Sequence, residues 1–160
     1  MVGTFDIENF AFFETTGAMS TQRNLIPEFP DGVIGVCKEV IKPTQYDTEE
    51  GPRLAFALVW ALDDERAREV TGLPQPTIRQ TLWLDVTPQG GLDMGKGKNV
   101  DLGMTREACG LNDPDKPFKP AMFVGQVAKL IIKHKTAKKT GDINANVTKV
   151  YARTWTPKNK

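Results

Sequence analysis

The side chains with the clearest capacity for chemistry are the lysines of the last quarter of the chain. From Gln126 to Lys160, Lys129, Lys133, Lys135, Lys138, Lys139, Lys149, Arg153, Lys158 and Lys160 stand against a single acid, Asp142. That segment carries +8, which leaves −7 on the remainder of a chain whose net charge is only +1. Clustered ammonium groups release condensed counterions from a phosphate backbone, so this distribution predicts a localised footprint for a polyanion. The interspersed acids that keep an ordinary lysine-rich edge merely soluble are missing here. Tyr151, Arg153 and Trp155 interleave rings with a guanidinium, a pattern that suits base stacking and equally suits a chain end anchored by its aromatics.

Other reactive residue types are few. His134 is the single histidine, which removes the commonest general base and most zinc geometries. Its phase with Leu130 and Ile132 predicts a packed or hydrogen-bonded core histidine. Cys37 and Cys109 are far apart and outside any CxxC spacing, so both are expected as core residues. Gly90 to Gly97 reads GGLDMGKG, one residue from the phosphate-binding pattern GxxxxGK[ST]. Gly97 stands where a hydroxyl would hold magnesium, and no second apolar strand ending in Asp follows. Lys96 and Lys98 are therefore expected on a flexible loop that touches a backbone phosphate, without nucleotide turnover. Asp63, Asp64 and Glu65 read as a solvated corner. The chain is expected to be no enzyme, with no catalytic residue, metal or cofactor.

These groups need a scaffold, and 160 residues favour one domain. The longest apolar run, Leu54 to Leu62, has nine residues, far below the ~20 that span a bilayer as a helix, so no membrane partner is expected. Met1 to Phe10 lacks a basic n-region and an apolar h-region, which points to the cytoplasm. Residues 1–30 form an N-terminal arm or edge segment, residues 31–152 the domain, and residues 153–160 a flexible basic tail.

Five strands are expected in that domain: Gly32 to Lys42, Arg53 to Leu62, Ile78 to Val86, Gln126 to Lys135 and Ile143 to Ala152. Leu54, Phe56, Leu58, Trp60 and Leu62 form the bulky inner face of the second, with Ala55, Ala57 and Val59 outside. Trp83 falls in the outward register of the third, beside Arg79 and over those small residues, as a stacking platform or a site covered by the arm or a second subunit. One helix, opened by Asn99 or Asp101 and closed at Gly110, is expected between strands three and four. A helical turn is allowed at Asp64 to Val70.

Five strands with a helix between the third and fourth is the connectivity of the OB fold, a five-stranded Greek-key barrel that binds oligonucleotides. Pro27-Glu28-Phe29-Pro30-Asp31-Gly32, the Leu54 to Leu62 strand, Ala108-Cys109-Gly110-Leu111, Gly125-Gln126-Val127 and Gly141-Asp142-Ile143-Asn144 carry a further likeness. In these segments the chain resembles phage-encoded single-stranded-DNA-binding proteins of the OB type. The resemblance implies sequence-tolerant binding of single-stranded DNA in phage replication or recombination, inside an infected bacterial cell. The bacterial proteins of this kind usually end in an acidic recruiting tail, whereas this chain ends Thr156-Pro157-Lys158-Asn159-Lys160. The expected interface is Arg79, Trp83, Lys96, Lys98, Lys129, Lys133, Lys135, Lys138, Lys139, Tyr151 and Arg153. The competing expectation is an interaction or structural module that recruits phage or host replication proteins, and a homo-oligomer is compatible with either.

Overall fold

The computed structural model describes residues 5–21 and 24–158. Apolar alternation sets its strands. β1 (Phe29–Thr48), β2 (Gly51–Leu62), β3 (Thr77–Leu84), β4 (Val127–Thr136) and β5 (Ile143–Ala152) form one antiparallel sheet in the order β3-β2-β1-β4-β5. The helices among the described residues are short: α1 (Glu65–Thr71) joins β2 to β3, α2 (Val100–Ala108) lies between β3 and β4, and 3-10 turns cover Phe10–Phe12 and Pro120–Phe123. The fold is mainly β, as expected, and no described helix is long and apolar enough to cross a membrane.

The central strand does two jobs. Its first half pairs with β4 from Phe29 to Val36, and from Gly35 to Thr48 it pairs with β2. Register shifts at Cys37/Glu39 and Ile41/Thr44 interrupt its alternation, and such bulges bend and twist a strand. The inner face of the curled sheet then collects Val33 and Cys37, the four bulky side chains Phe56, Leu58, Trp60 and Leu62, Ile78 and Leu82, Leu130 and Ile132, and Val150. Leu102 of α2 and Phe123 close this core. Within it the Trp60 Nε1 donates to Gln80 Oε1 at 2.9 Å, and Gln80 Nε2 donates to Thr105 Oγ1 at 3.1 Å. Thr105 Oγ1 donates in turn to the Asp101 carbonyl at 2.9 Å, so a buried polar chain ties β2 through β3 to α2.

The expected closed barrel is not formed: β3 and β5 are not hydrogen-bonded to one another, and the sheet is open between them. The reason is local. Side chains of α2, Asp101, Met104 and Thr105, stand with Gln80 to Leu82 and Val147 to Val150 around a cleft of about 130 Å³ at that seam. Opposite Ile131 and Ile132, β5 carries the extra residue Thr148, whose hydroxyl donates back to the Ile131 carbonyl at 3.3 Å. The edge that would meet β3 is irregular at that point.

Gly32 sits inside β1, at the register shift between Phe29 and Val33 in its pairing with β4. Its φ is +92°, and a Cβ there would stand 2.5 Å from Lys129 Cγ and 2.6 Å from its Cδ. Left-handed backbone alone costs a side-chain-bearing residue roughly 1–2 kcal/mol, and the Lys129 stem must also move. Gly32→Ala is expected to destabilise the domain by about 2 kcal/mol, read as a lower urea midpoint at unchanged slope.

Candidate nucleic-acid interface

The β4–β5 hairpin displays its lysines by simple alternation. Ile131 lies opposite Lys149, Lys133 opposite Asn146 and Lys135 opposite Asn144, all on the outer face. Lys133, Lys135 and Lys149 are exposed, and so are Lys138 and Lys139 in the connecting turn. That turn is closed by Ala137 N–H donating to the Asp142 carbonyl at 2.7 Å and Gly141 N–H donating to the Ala137 carbonyl at 2.8 Å. Among the described residues none of these five ammonium groups has a carboxylate within ion-pair distance. Unneutralised and solvated, they are free to meet phosphate.

Lys129 departs from that pattern. It is half-buried, its Nζ donates to the Trp155 carbonyl at 2.6 Å, and it faces Tyr151 across the strands. Trp155 N–H donates to the Ala152 carbonyl at 2.8 Å, which folds the chain end back and stacks the Trp155 ring on Tyr151 at 4.2 Å and 14°. Arg153 is exposed in that turn. Lys129 therefore holds the chain end, while the stacked pair offers its outer surface.

At the other edge, Trp83 of β3 lies opposite Ala55 of β2, with Thr81 opposite Ala57 and Arg79 opposite Val59. The small floor expected beneath the indole is present. Tyr46 packs on Trp83 edge-on at 5.4 Å, and the Arg53 guanidinium lies 5.0 Å from the ring centroid. Arg53 also reaches Asp85 at 3.9 Å. Tyr46 and Arg53 were not among the expected interface residues. The signal for them lies in the hairpin register, since β1 runs on to Thr48 and pairs Tyr46 with Arg53.

The strand order brings the two edges together. Each neighbouring pair is antiparallel, so β3 and β5 run in the same direction on either side of the seam. Thr77 to Arg79 line one cleft together with Asn144 and Ala145, and Thr81 lines the seam cleft with Lys149. Two residues further along each strand stand Trp83 and Tyr151. The outer surface thus passes from the Trp83 group across the seam to the Tyr151 stack and down to the lysines.

The glycine-rich loop is pinned rather than loose. Val86 bridges Leu92, Thr87 N–H donates to the Gly91 carbonyl at 2.7 Å, and Asp93 N–H donates to the Asp85 carbonyl at 2.9 Å. Asn99, with φ +50°, gathers this loop: its side chain accepts from Asp85 N–H at 2.8 Å and donates to the Asp85 and Asp93 carbonyls. Asn99 N–H donates to the Asp85 carboxylate at 2.9 Å, so a carboxylate already stands at the start of α2. Asn99 is the residue before the helix, as expected, but its side chain holds Asp85, just after β3, and Asp93 of the loop rather than the cap. Lys96 and Lys98 are exposed, and Lys98 lines a cleft with Arg53 and Asp85.

No protein-family model matches this chain, and a search of curated proteins finds no match. The geometry alone therefore carries the reading of the site. His134 is corrected by it. The residue keeps the phase of Leu130 and Ile132 and is hydrogen-bonded as expected, but it lies beyond the core, where it is exposed, with Nε2 at 2.7 Å from the Ile26 carbonyl and its backbone N–H donating to the Glu28 carboxylate at 2.9 Å. Cys37 is buried and Cys109 half-buried against the core. Burial pushes the Cys37 thiol up, and burial with the neighbouring Cys37 pushes Cys109 up to about 11, so both are protonated at neutral pH.

Proposed function

We propose that this chain binds single-stranded nucleic acid, with single-stranded DNA the leading ligand, along the outer surface that joins β3, β5 and the β4–β5 turn. One observation carries the reading: exposed lysines without acidic partners adjoin two aromatic groups across an open seam. Lysines follow the phosphate backbone, while rings accept bases of any sequence, the combination that sequence-tolerant single-strand binding requires. The sheet order supports an OB-type scaffold, because β4-β1-β2-β3 with a long return through α2 is the Greek-key arrangement, and OB barrels are five-stranded and partly open. The setting implied by the resemblance above is phage replication or recombination. The carboxylate at the start of α2 favours this binding role over nucleotide turnover.

Titration with oligo(dT), followed by tryptophan fluorescence, tests the proposal. Base–aromatic stacking is worth ~1–3 kcal/mol per base, so Trp83→Ala is expected to weaken binding by roughly 5- to 150-fold. Full affinity in Trp83→Ala would remove that residue from the interface. A second reading, in which the basic hairpin meets an acidic protein partner, draws on the same unneutralised lysines. It predicts no oligonucleotide binding at low salt.

A further inference from the structure

The N-terminal arm leaves the molecule with its apolar groups in water. Asn9 donates to the Asp6 carboxylate from its backbone N–H at 3.3 Å and from its side chain at 2.9 Å, and the following 3-10 turn gathers Phe10, Phe12 and Phe13. The Phe5 ring lies 5.8 Å from Phe10 and 5.3 Å from Phe13, yet Phe12 remains 84% exposed and Ile7 81%. Residues 5–21 contain Asp6, Glu8 and Glu14 and no base. The Asn9 side chain foremost, then its N–H, holds the Asp6 carboxyl below its usual range, so the acidic character is kept.

The same molecule carries an open, partly apolar surface with two arginines. At the end of the sheet where the arm begins, two open clefts of about 620 and 410 Å³ share Asn24 and Leu25. Val70, Leu73 and Ile143 line them and are all exposed. Arg66, whose guanidinium lies 5.8 Å from the Phe29 ring centroid, stands with Glu28 in one cleft, and Arg79 stands in the other. Neither guanidinium has a carboxylate at ion-pair distance among the described residues.

We infer that the arm of one copy seats its phenyl rings in this end groove of a second copy, with Glu8 and Glu14 directed to Arg66 and Arg79. The occupant is a second copy because the chain's own Ser20 and residues 24–28 already line the groove, and its rings turn to one another instead of entering it. Reach is sufficient: the thirteen residue-to-residue steps from Phe13 to the buried Ile26 span up to roughly 45 Å when extended. A Phe side chain buries 150–250 Å², so the exposed part of four rings is on the order of 500 Å² per arm. Reciprocal exchange of two arms, with the groove surfaces included, reaches the standard interface class of ~1,200–2,000 Å². Each arm engaging the other copy makes a closed pair.

The test is sedimentation velocity on the full chain from low to high micromolar concentration, at low and high salt. The wild-type mass is expected to rise from one chain to two, and Phe10→Ser/Phe12→Ser/Phe13→Ser is expected to stay at one. Those positions are exposed and outside the sheet, so folding is preserved, which circular dichroism verifies. Charge exchange then identifies the surface. Glu8→Arg/Glu14→Arg and Arg66→Glu/Arg79→Glu are each expected to remain single chains alone, while an equimolar mixture recovers the doubled mass. A wild type that stays single at every concentration, as it would if the arm bound its own groove, overturns the inference. So does a mixture that fails to associate.

Discussion

Joint replacement of Lys133, Lys135, Lys138 and Lys139 by alanine is expected to weaken oligo(dT) binding by about 100-fold near physiological salt. Each neutralised phosphate of a single strand contributes ~0.7 to the slope of log K against log salt, so four contacts contribute about 3. At ~0.15 M salt that slope corresponds to roughly two decades of affinity. The four side chains are exposed and without acidic partners, so their removal leaves the fold intact. Lys129→Ala is not equivalent. It releases the Trp155 carbonyl and with it the turn that stacks Trp155 on Tyr151, so its effect reads on the chain end before it reads on phosphate.

Trp60→Ala is expected to be the most damaging single change to stability. The indole is fully buried, and truncating such a side chain costs ~3–5 kcal/mol through lost transfer energy and the cavity left behind. The change also strips Gln80 Oε1 of its donor within the core, and an orphaned buried acceptor costs about 1–3 kcal/mol more. A domain of this size is held by only ~5–15 kcal/mol, so the variant is expected to be largely unfolded at 37 °C by near-ultraviolet circular dichroism. Trp60→Phe, which keeps most of the volume and loses the N–H, is expected to fold with a lowered midpoint. A Trp60→Ala chain as stable as the wild type would contradict the core described here.

Much of this architecture is legible in the chain itself, because alternation fixes which side of a strand is wet. Phe56, Leu58, Trp60 and Leu62 face inward as their spacing requires, and β5 spans Ile143–Ala152 as expected. Trp83 stands over Ala55 as its phase predicts. The features that are not legible depend on breaks in that alternation or on distant packing. The two register shifts in the β1–β2 pairing disguise its last residues, so Tyr46 reads as part of a polar loop although it sits on a strand against Trp83. Closure between β3 and β5 is decided by the side chains of α2 and by the extra Thr148, neither of which has a local signature. Lys129 has the phase of an outer lysine, and only the folded chain end shows that Trp155 engages it. His134 shows the limit of phase arguments: an inward position at the end of a strand has no core left to enter.

The most direct test is a fluorescence titration of the wild-type chain with single-stranded DNA, duplex DNA and single-stranded RNA of equal length, each at low and at physiological salt. Tight, tryptophan-quenching binding to the single strands is expected, weakening steeply with salt, with much weaker binding to the duplex, whose bases are not available to Trp83 and the Tyr151 stack. Binding that ignores salt, that favours the duplex, or that is absent at low salt would contradict the proposed interface.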